Sequence, residues 1–396
     1  MKKLIILTIV ALYADILNAQ WYQTTQNSES ISCLVGSGSS IFAGAYGNVF
    51  LSTNNGGLWT AVNMGLQNRY INSLVISGTN IFAGTDSGGV FLSTNNGGLW
   101  TPANIGLTNH PVYTFAISGT NIFAGTVGGG VFLSTNSGGL WTAINNGLTN
   151  LDVYSLVLNG TNIFAATNAG VFLSTNNGGL WTAVNNGLTS LIMSSLAISV
   201  SNIFAGTFGG GIFLSTSNGN TWTAINNGLP SNTSVRSFAL NGTNIFAETY
   251  HDGVFLSTNN GGLWTAINAG LPGADLFSLG INATNIFATV NLGSGNPDYI
   301  IYTRPLSELT GIEEKNSNSH FALYPNPTTG KLRVESAELK VKSLEVYNVL
   351  GEKVFQSSNL NQQTSIEIDL SPSAKGIYFL KIYDGKKIYD KKIVVQ

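Results

Sequence analysis

Tryptophans divide most of this chain into units of nearly constant length. Six of them, at positions 59, 100, 141, 181, 222 and 264, follow one another at intervals of 41, 41, 40, 41 and 42 residues. A phenylalanine within an Ile-Phe-Ala segment recurs seven times, at positions 42, 82, 123, 164, 204, 246 and 287. Self-similarity at a fixed period of this size is the sequence signature of a repeat architecture.

Each unit contains four short strand-like runs separated by turn residues. In the second unit these runs are Leu74–Ser77, Ile81–Thr85, Val90–Ser93 and Leu99–Asn104. Four strands per period of about 41 residues are typical of a β-propeller blade. A right-handed β-helix is the alternative, but its coil is usually much shorter and needs fewer hairpin turns. The repeat therefore predicts an all-β fold, a seven-bladed β-propeller.

The two ends of the repeat do not match, and this mismatch predicts how the propeller closes. There are seven Ile-Phe-Ala segments but only six hairpins that end in tryptophan. In the seventh unit Arg304-Pro305 replaces the Asn-Asn-Gly-Gly turn, so the fourth strand is missing. The segment Trp21–Thr25 is similar to the fourth strand of the other units. We predict that this N-terminal strand completes blade seven, because pairing the ends removes two open sheet edges.

The first residues are predicted to be a signal peptide rather than part of the fold. Lys2 and Lys3 precede an apolar run, Leu4–Ala14, and Leu17-Asn18-Ala19 forms a plausible cleavage site before Gln20. The apolar run is too short to span a bilayer, and no later segment is long enough. We expect cleavage after residue 19, export, and no transmembrane segment.

Charge separates the remaining chain into two parts. Residues 21–310 contain three arginines, no lysine and eight carboxylates, whereas residues 311–396 contain twelve lysines and arginines and ten carboxylates. This difference predicts a propeller over residues 20–305, a polar linker over 306–320 and a second domain over 321–396. The scarcity of basic residues argues against nucleic acid as a partner. The single cysteine, Cys33, excludes a disulfide framework and a cysteine-rich metal site. We expect a monomer without metal or cofactor.

The hairpin Ser52-Thr53-Asn54-Asn55-Gly56-Gly57-Leu58-Trp59 resembles the Asp-box, also called the BNR or sialidase repeat, with the pattern S-x-D-x-G-x-T-W. The Asp position is occupied by Asn54, Asn95, Asn136, Asn176, Ser217 and Asn259. In that family the box is a structural hairpin between the third and fourth strands, away from the catalytic centre. Its serine and asparagine side chains are expected to bind the turn backbone, and its tryptophan to pack between blades.

The resemblance extends less well to enzymatic activity. Sialidases use a cluster of three arginines, whereas this domain has only Arg69, Arg236 and Arg304, and Arg304 lies at the exit of blade seven. Xyloglucanases also resemble the repeat, but they use two propellers and a facing pair of aspartates. The best candidate carboxylate pair is Asp252 with Asp275, which would suit glycoside hydrolysis. His251 is more consistent with an exposed loop residue than with a base or a metal ligand.

The units differ mainly on one face, which predicts a recognition surface. Ten residues before each repeated phenylalanine, where the inner strand begins near the central channel, stand Ser32, Asn72, Tyr113, Tyr154, Ser194, Arg236 and Phe277. Loops between the second and third strands add Tyr46, Phe208, Tyr250 and His251. Rigid aromatic rings and hydrogen-bonding groups on a uniform frame suit a glycan or protein ligand. Drift in unconstrained loops is the alternative explanation.

The C-terminal residues resemble a second family. Tyr324-Pro325-Asn326-Pro327, Gly376-Ile377-Tyr378-Phe379-Leu380 and the basic end at Lys391-Lys392 are similar to the type A sorting domain of type IX secretion. Alternating apolar runs agree with a small antiparallel β-sandwich. The resemblance implies recognition by the type IX machinery and delivery to the outer-membrane surface or the medium. An ordinary carbohydrate-binding sandwich is the alternative.

Three functional classes follow from these features. A secreted, non-catalytic binding or adhesion propeller predicts affinity without turnover, and a glycoside hydrolase of sialidase-like or xyloglucanase-like type predicts hydrolysis. A periplasmic assembly factor, similar to the photosystem-assembly propellers, predicts retention in the cell. The sorting tail disfavours this third class, and the binding module is the function that we expect.

Overall fold

A computed structural model describes residues 20–25, 30–66, 69–108, 111–272, 275–292, 299–309, 322–324, 328–335, 341–348, 352–358, 360, 365–383 and 388–395. The predicted signal peptide, residues 1–19, lies outside the described residues, as does most of the predicted linker. The chain divides into two compact units, and the division falls between Leu309 and Thr310.

The first unit contains seven four-stranded antiparallel sheets, and six of them use consecutive strands. Blades one to three comprise β2 (Cys33–Ser37), β3 (Ser40–Gly44), β4 (Val49–Ser52), β5 (Thr60–Ala61); β6 (Ile71–Ser77), β7 (Asn80–Thr85), β8 (Val90–Ser93), β9 (Thr101–Pro102); and β10 (Val112–Ser118), β11 (Asn121–Thr126), β12 (Gly130–Ser134), β13 (Thr142–Ala143). Blades four to six comprise β14 (Val153–Asn159), β15 (Asn162–Thr167), β16 (Gly170–Ser174), β17 (Thr182–Ala183); β18 (Met193–Ser199), β19 (Asn202–Thr207), β20 (Ile212–Ser215), β21 (Thr223–Ala224); and β22 (Val235–Asn241), β23 (Asn244–Thr249), β24 (Val254–Ser257), β25 (Thr265–Ala266).

Blade seven takes strands from both ends of the unit. It comprises β26 (Asp275–Ile281), β27 (Asn285–Asn291), β28 (Tyr299–Pro305) and the N-terminal β1 (Tyr22–Gln23). Tyr22 pairs with Thr303, and Gln23 pairs with Tyr302. The predicted all-β fold, with seven blades closed by an N-terminal strand, is therefore confirmed.

The strand bounds differ from the prediction in a regular way. In blade two the first strand begins at Ile71 rather than Leu74, and the fourth strand covers only Thr101–Pro102. The second strands are buried almost throughout, because each lies inside its sheet and has neighbouring blades on both faces. This is why the centre of each second strand, Ile-Phe-Ala, is an uninterrupted apolar run rather than an alternating pattern.

The inner strands form a closed ring. The first strand of each blade contacts the first strand of the next blade, and β2 of blade one contacts β26 of blade seven. The faces between blades are filled by the repeated Phe, Ile, Val and Trp side chains, which form a series of separate buried clusters. The core is thus distributed around the ring rather than concentrated in one place.

The hairpin between the third and fourth strands is held by its own side chains. In blade two, the Ser93 hydroxyl donates to Asn95 Oδ1 at 2.9 Å and accepts the Gly97 N–H at 2.9 Å. Asn95 Oδ1 also accepts the Leu99 N–H at 2.9 Å. Asn96 and Gly97 take positive φ values of 54° and 86°. Ser and Asn therefore stabilise the turn through these hydrogen bonds, as their position in the repeat predicts.

Blade seven ends in a short 3-10 helix, Leu306–Glu308. Leu306 and Leu309, which begin the predicted linker, are buried in the cluster between blades six and seven. Arg304 is also buried, where its Nη1 donates to the Ile267 carbonyl at 3.2 Å and its Nε lies 3.5 Å from Glu308 Oε2. Arg304 therefore serves the packing of this blade.

The second unit consists of two antiparallel sheets. One contains β29 (Ala322–Tyr324), β30 (Lys331–Glu335) and β33 (Ser365–Asp369), in that order. The other contains β31 (Ser343–Asn348), β32 (Lys353–Ser358), β34 (Gly376–Tyr383) and β35 (Ile388–Val395), in the order β32-β31-β34-β35. A single cluster joins them, with Leu332 and Ile368 from the first sheet and Leu344 and Leu380 from the second. The unit is a small β-sandwich, as predicted.

Candidate functional site

Six of the seven residues predicted to form a ring lie on β-bulges at the start of the inner strands. In blade two, Ile71 and Ser73 pair with consecutive residues of β7, so Asn72 between them has no partner in the ladder. The same interruption occurs at Tyr113, Tyr154, Ser194, Arg236 and Phe277 in the following blades. A bulge re-aims the side chain of its extra residue. The backbone thereby presents six of these seven positions away from the blade interiors.

The ring residues meet in one open cavity of about 520 Å³. All seven of them line it: Ser32, Asn72, Tyr113, Tyr154, Ser194, Arg236 and Phe277. Phe208, from a loop of blade five, lines it as well, together with Tyr70, Asn168, Ile192 and Met193. A volume of this size falls in the range of small-ligand sites. The structure therefore brings together, at the start of the inner strands, residues separated by more than two hundred positions in the chain.

Arg236 is the one charged side chain among the described residues that line the cavity. Its guanidinium lies between two aromatic rings, 4.4 Å from the centroid of Tyr250 and 4.3 Å from that of Phe277. Its Nη1 donates to the Leu276 carbonyl at 2.8 Å. Stacking of this kind holds a guanidinium in place and removes part of its hydration. Arg236 can therefore offer its remaining N–H groups to an anionic ligand group.

Opposite in character to the charged Arg236, the wall of the cavity formed by Tyr113, Tyr154 and Asn72 is aromatic and polar but uncharged. The rings of Tyr113 and Tyr154 meet edge to face, with centroids 6.1 Å apart, and Tyr113 is 44% exposed. Asn168 Nδ2 donates to the Tyr154 hydroxyl at 2.9 Å, which fixes that ring. The buried Nδ2 of Asn72 has no hydrogen-bond partner within the described part of the chain. This wall can stack on a ring-shaped ligand face and donate hydrogen bonds to it.

The third wall is apolar. Phe208 and Ile192 are exposed by 62% and 51%, whereas Met193, the first residue of β18, is buried. Phe208 N–H donates to the Ile192 carbonyl at 3.0 Å, which ties the loop of blade five to the incoming chain. Large exposed apolar side chains at the mouth of a cavity are typical of a binding surface.

Tyr46 and Tyr250 do not line the cavity but support residues that do. Tyr46, 59% exposed, forms an isolated bridge with Tyr70, and their rings lie 6.2 Å apart. Tyr250 covers the Arg236 guanidinium and packs edge to face on His251, with ring centroids 4.1 Å apart. Both tyrosines therefore lie next to the cavity, Tyr46 on a loop of blade one and Tyr250 on a loop of blade six.

The candidate carboxylate pair lies outside the cavity. Asp275 Oδ1 is 2.7 Å from His251 Nδ1, and both side chains are exposed. Asp252 Oδ2 accepts a hydrogen bond from Thr233 at 3.4 Å. His251 and Asp252 border a separate depression of only about 80 Å³. The described residues contain no group of three or more His, Cys, Asp and Glu side chains that could hold a metal ion.

Glu248 lies behind Arg236 and was not among the predicted site residues. It is fully buried on β23, and its Oε2 accepts the Ser237 hydroxyl at 2.5 Å. Burial raises the pKa of this carboxyl to about 7, although the Ser237 hydrogen bond and the charge of Arg236 both act to lower it. The sequence carries a signal for this residue, because Asn-Ile-Phe-Ala-Glu-Thr in blade six replaces the Asn-Ile-Phe-Ala-Gly-Thr of other blades.

A repeated asparagine, four residues after each of six tryptophans, ties the loops of the cavity face together. In blade two, Asn104 Oδ1 accepts the Val90 N–H at 2.6 Å, and its Nδ2 donates to the Gly88 carbonyl at 2.7 Å. The same pair of bonds recurs at Asn145, Asn185, Asn226 and Asn268. The recurrence of this asparagine in the sequence could have indicated its structural role. The face thus has a fixed frame on which the variable side chains stand.

Residues 322–396 match the family described as the secretion system C-terminal sorting domain. This match confirms the predicted sorting tail and implies export by type IX secretion. The protein is therefore delivered to the cell surface or the outer membrane. None of the helices within the described residues has the length and apolar character needed to cross a membrane.

The propeller fold is shared with several solved structures of low sequence identity. The extracellular domain of BT4673 from B. thetaiotaomicron is 16% identical, with a TM-score of 0.60 over 93% of this chain and 52% of that chain. YCF48 from Cyanidioschyzon merolae is 14% identical, with a TM-score of 0.55 over 72% of this chain and 99% of that chain. YCF48 has also been solved bound to a D1 peptide.

These similarities establish the fold alone. The chain spans about half the length of the BT4673 domain that it matches. No curated protein sequence matches the chain.

Proposed function

We propose that this protein is a non-catalytic recognition or adhesion module of the cell surface, whose propeller binds a glycan or protein ligand in the cavity at the start of the inner strands. The observation that carries this proposal is that all seven variable ring positions line one cavity of about 520 Å³. The ring of inner strands places these equivalent positions around one open space, and the aromatic and hydrogen-bonding side chains found there suit a binding site.

The lining indicates the chemistry of the ligand. Arg236 supplies one positive charge, and no carboxylate is found among the described residues that line the cavity, which favours a ligand with an anionic group. Tyr113 and Tyr154 offer ring faces and edges beside Asn72, whose buried Nδ2 has no hydrogen-bond partner among the described residues. We infer a ligand that combines a carboxylate or similar anion with a ring or another flat face.

The organisation of the chain fits this role. We propose that the signal peptide, residues 1–19, is removed, so that the segment beginning at Trp21 is free to close the propeller at residues 20–305. The segment 306–320 then links the propeller to the sorting domain at 321–396. We also propose that the third hairpin of blades one to six is of the Asp-box type, on the strength of the Ser93, Asn95 and Gly97 contacts in blade two.

A glycan and peptide array tests the proposal directly. The chain without residues 1–19 is labelled and probed in parallel with the variants Tyr113→Ala and Tyr154→Ala. We expect both variants to lose binding about tenfold or more, because each removes an aromatic contact. Leu180→Ala is a matched control, since Leu180 is 50% exposed at a hairpin tip and does not line the cavity.

The two arms of the array distinguish the ligand classes, and recovery of the bound ligand distinguishes binding from hydrolysis. An unchanged ligand supports a binding module. Hydrolysis that is lost in Asp252→Asn or Asp275→Asn would instead support a glycoside hydrolase. If both tyrosine variants bind like the unmodified protein, the cavity is not the ligand site.

A further inference from the structure

Glu248 occupies a position that holds glycine or alanine in most other blades. The equivalent residues on the second strand are Gly44, Gly84, Gly125, Ala166 and Gly206. A Cβ atom built on Gly206 would approach Ser195 Oγ to 2.5 Å and the first strand of the next blade to 2.9 Å. The position therefore faces the crowded contact between two blades. In blade six it holds a carboxyl group instead.

This carboxyl is only half satisfied. Glu248 has no exposed surface, and Oε2 accepts the Ser237 hydroxyl. Oε1 is buried without a hydrogen-bond partner among the described residues. A buried carboxylate with an unpaired oxygen is costly, whereas the protonated acid is much less so. The local structure thus leaves the protonation state of Glu248 open to influence from nearby charge.

The nearby charge is that of Arg236, which directly precedes Ser237 on β22. Its positive charge favours the ionised form of Glu248. Of the other strands that pack on β23, β24 contributes no titratable side chain. Strand β26 contributes Asp275, whose carboxylate is bound to the His251 imidazole. Arg236 is therefore the group that connects Glu248 to the cavity.

We propose that Glu248 is a proton-accepting positioning residue, which couples the binding of an anionic ligand group at Arg236 to the uptake of one proton. This inference rests on the proposed function of the cavity. When Arg236 is free, its positive charge favours the ionised form of Glu248. When a ligand carboxylate neutralises that charge, ionised Glu248 loses its support and takes up a proton.

The direction of the pH dependence follows from linkage. Since the ligand-bound state holds one more proton than the free state, binding strengthens as the pH falls through the titration of Glu248. Each pH unit across this range can change the affinity by up to about tenfold. A surface protein with such a site would bind its acidic ligand preferentially in acidic surroundings.

The coupling can be measured without knowing the ligand, because Arg236→Gln imitates an arginine whose charge has been neutralised. The full chain without residues 1–19 is labelled with 13C at the glutamate carboxyl, and the Glu248 signal is identified by its loss in Glu248→Gln. We expect a titration midpoint near pH 7 in the unmodified protein, in line with burial. In Arg236→Gln the midpoint should move to higher pH by about one unit.

Two further variants make the result specific. Arg236→Lys keeps a positive charge and should leave the midpoint nearly unchanged, whereas Arg236→Ala should reproduce the shift of Arg236→Gln. Thermal unfolding confirms that each variant is folded. The same midpoint in all four proteins, or a midpoint near that of an ordinary glutamate, would overturn the coupling. Because no ligand is involved, this outcome is distinguishable from a failure of the array to reveal binding.

Discussion

The indole Nε1 of Trp21 donates a hydrogen bond to the carbonyl of Ile267 at 2.7 Å, across 246 residues of chain. Ile267 is the third residue after Trp264, and the same offset recurs around the ring, where Trp100 donates to Val62 and Trp141 donates to Ala103. Trp59 also points at the third residue after Trp21, but it donates to the Thr24 hydroxyl at 3.3 Å. The N-terminal segment thus supplies the fourth strand of blade seven and its tryptophan between blades, and the Thr24 hydroxyl replaces the backbone carbonyl as the acceptor for Trp59.

Loss of Trp21 should open the ring. The side chain is 2% exposed and packs in the cluster between blades six and seven. We expect Trp21→Ala to lower the free energy of unfolding by about 3 to 5 kcal/mol. Trp21→Phe keeps an aromatic ring but loses the bond to Ile267, so it should lower this free energy by about 1 to 2 kcal/mol.

Chemical denaturation of the chain without residues 1–19 checks both values. The neighbouring Tyr22 is 37% exposed, so Tyr22→Ala serves as the control and should change the free energy of unfolding by less than about 1 kcal/mol. Equal stability of the Trp21→Ala variant and the control would mean that the N-terminal strand does not hold the ring closed.

Two glycines in neighbouring segments separate backbone strain from steric clash. Gly106 has a φ of 84°, and a Cβ atom there would lie 2.1 Å from the Trp141 carbonyl oxygen. Gly119 has a φ of 62° and nothing within 4 Å of such an atom. We expect Gly119→Ala to lower the free energy of unfolding by about 1 to 2 kcal/mol, because only the strain of a left-handed backbone is added. Gly106→Ala should lower the free energy of unfolding by clearly more, because the backbone at Trp141 in blade three must also move away from the added Cβ atom. Equal denaturation midpoints for the two variants would contradict this difference.

The fold was predictable because the same pattern of strands and turns recurs in the sequence of every blade. The spacing of tryptophan gave the period, and the similarity of Trp21–Thr25 to the fourth strands gave the closure. The strand bounds were less accurate. Residues such as Ile71 pair in the ladder although turn-like neighbours precede them, and the fourth strand pairs over only two residues. Hydrogen-bond register depends on the neighbouring strand, which a pattern along one strand does not contain.

The site was predictable as a set of positions but not as a set of contacts. Comparison of the repeats identified Tyr113, Tyr154 and Arg236 as exceptions within a uniform frame. It did not identify the bulges that turn these side chains out of the ladder, because a bulge depends on pairing. Glu248 was missed for another reason. A lone acidic residue in an apolar strand becomes informative only when its burial and its neighbours are known.

Arg236 should act through the shape of its guanidinium as well as its charge. The group is stacked between Tyr250 and Phe277, and Nη1 is already bound to the Leu276 carbonyl. A lysine can keep the charge but not the planar stacking or the paired N–H groups. We therefore expect Arg236→Lys to weaken binding of an array ligand about tenfold or more, as measured by calorimetry. Arg69, whose Nη1 donates to Ser87 at 3.0 Å, does not line the cavity, so Arg69→Lys should leave the affinity unchanged.

Glu248 should make the stability of the propeller depend on pH. Its pKa is raised by burial from 4.5 to about 7 in the folded protein, so between these values the folded chain holds a proton that the unfolded chain has released. Stability conferred by this proton is present at acidic pH and is lost as the pH rises through about 7. The loss should be on the order of 3 kcal/mol. Glu248→Gln has no such titration, so its free energy of unfolding, relative to that of the unmodified protein, should rise across this range and then stay constant. Urea denaturation at pH 5 and pH 8 (roughly the two sides of the titration) measures this difference, and a difference that is independent of pH would show that Glu248 titrates outside the range.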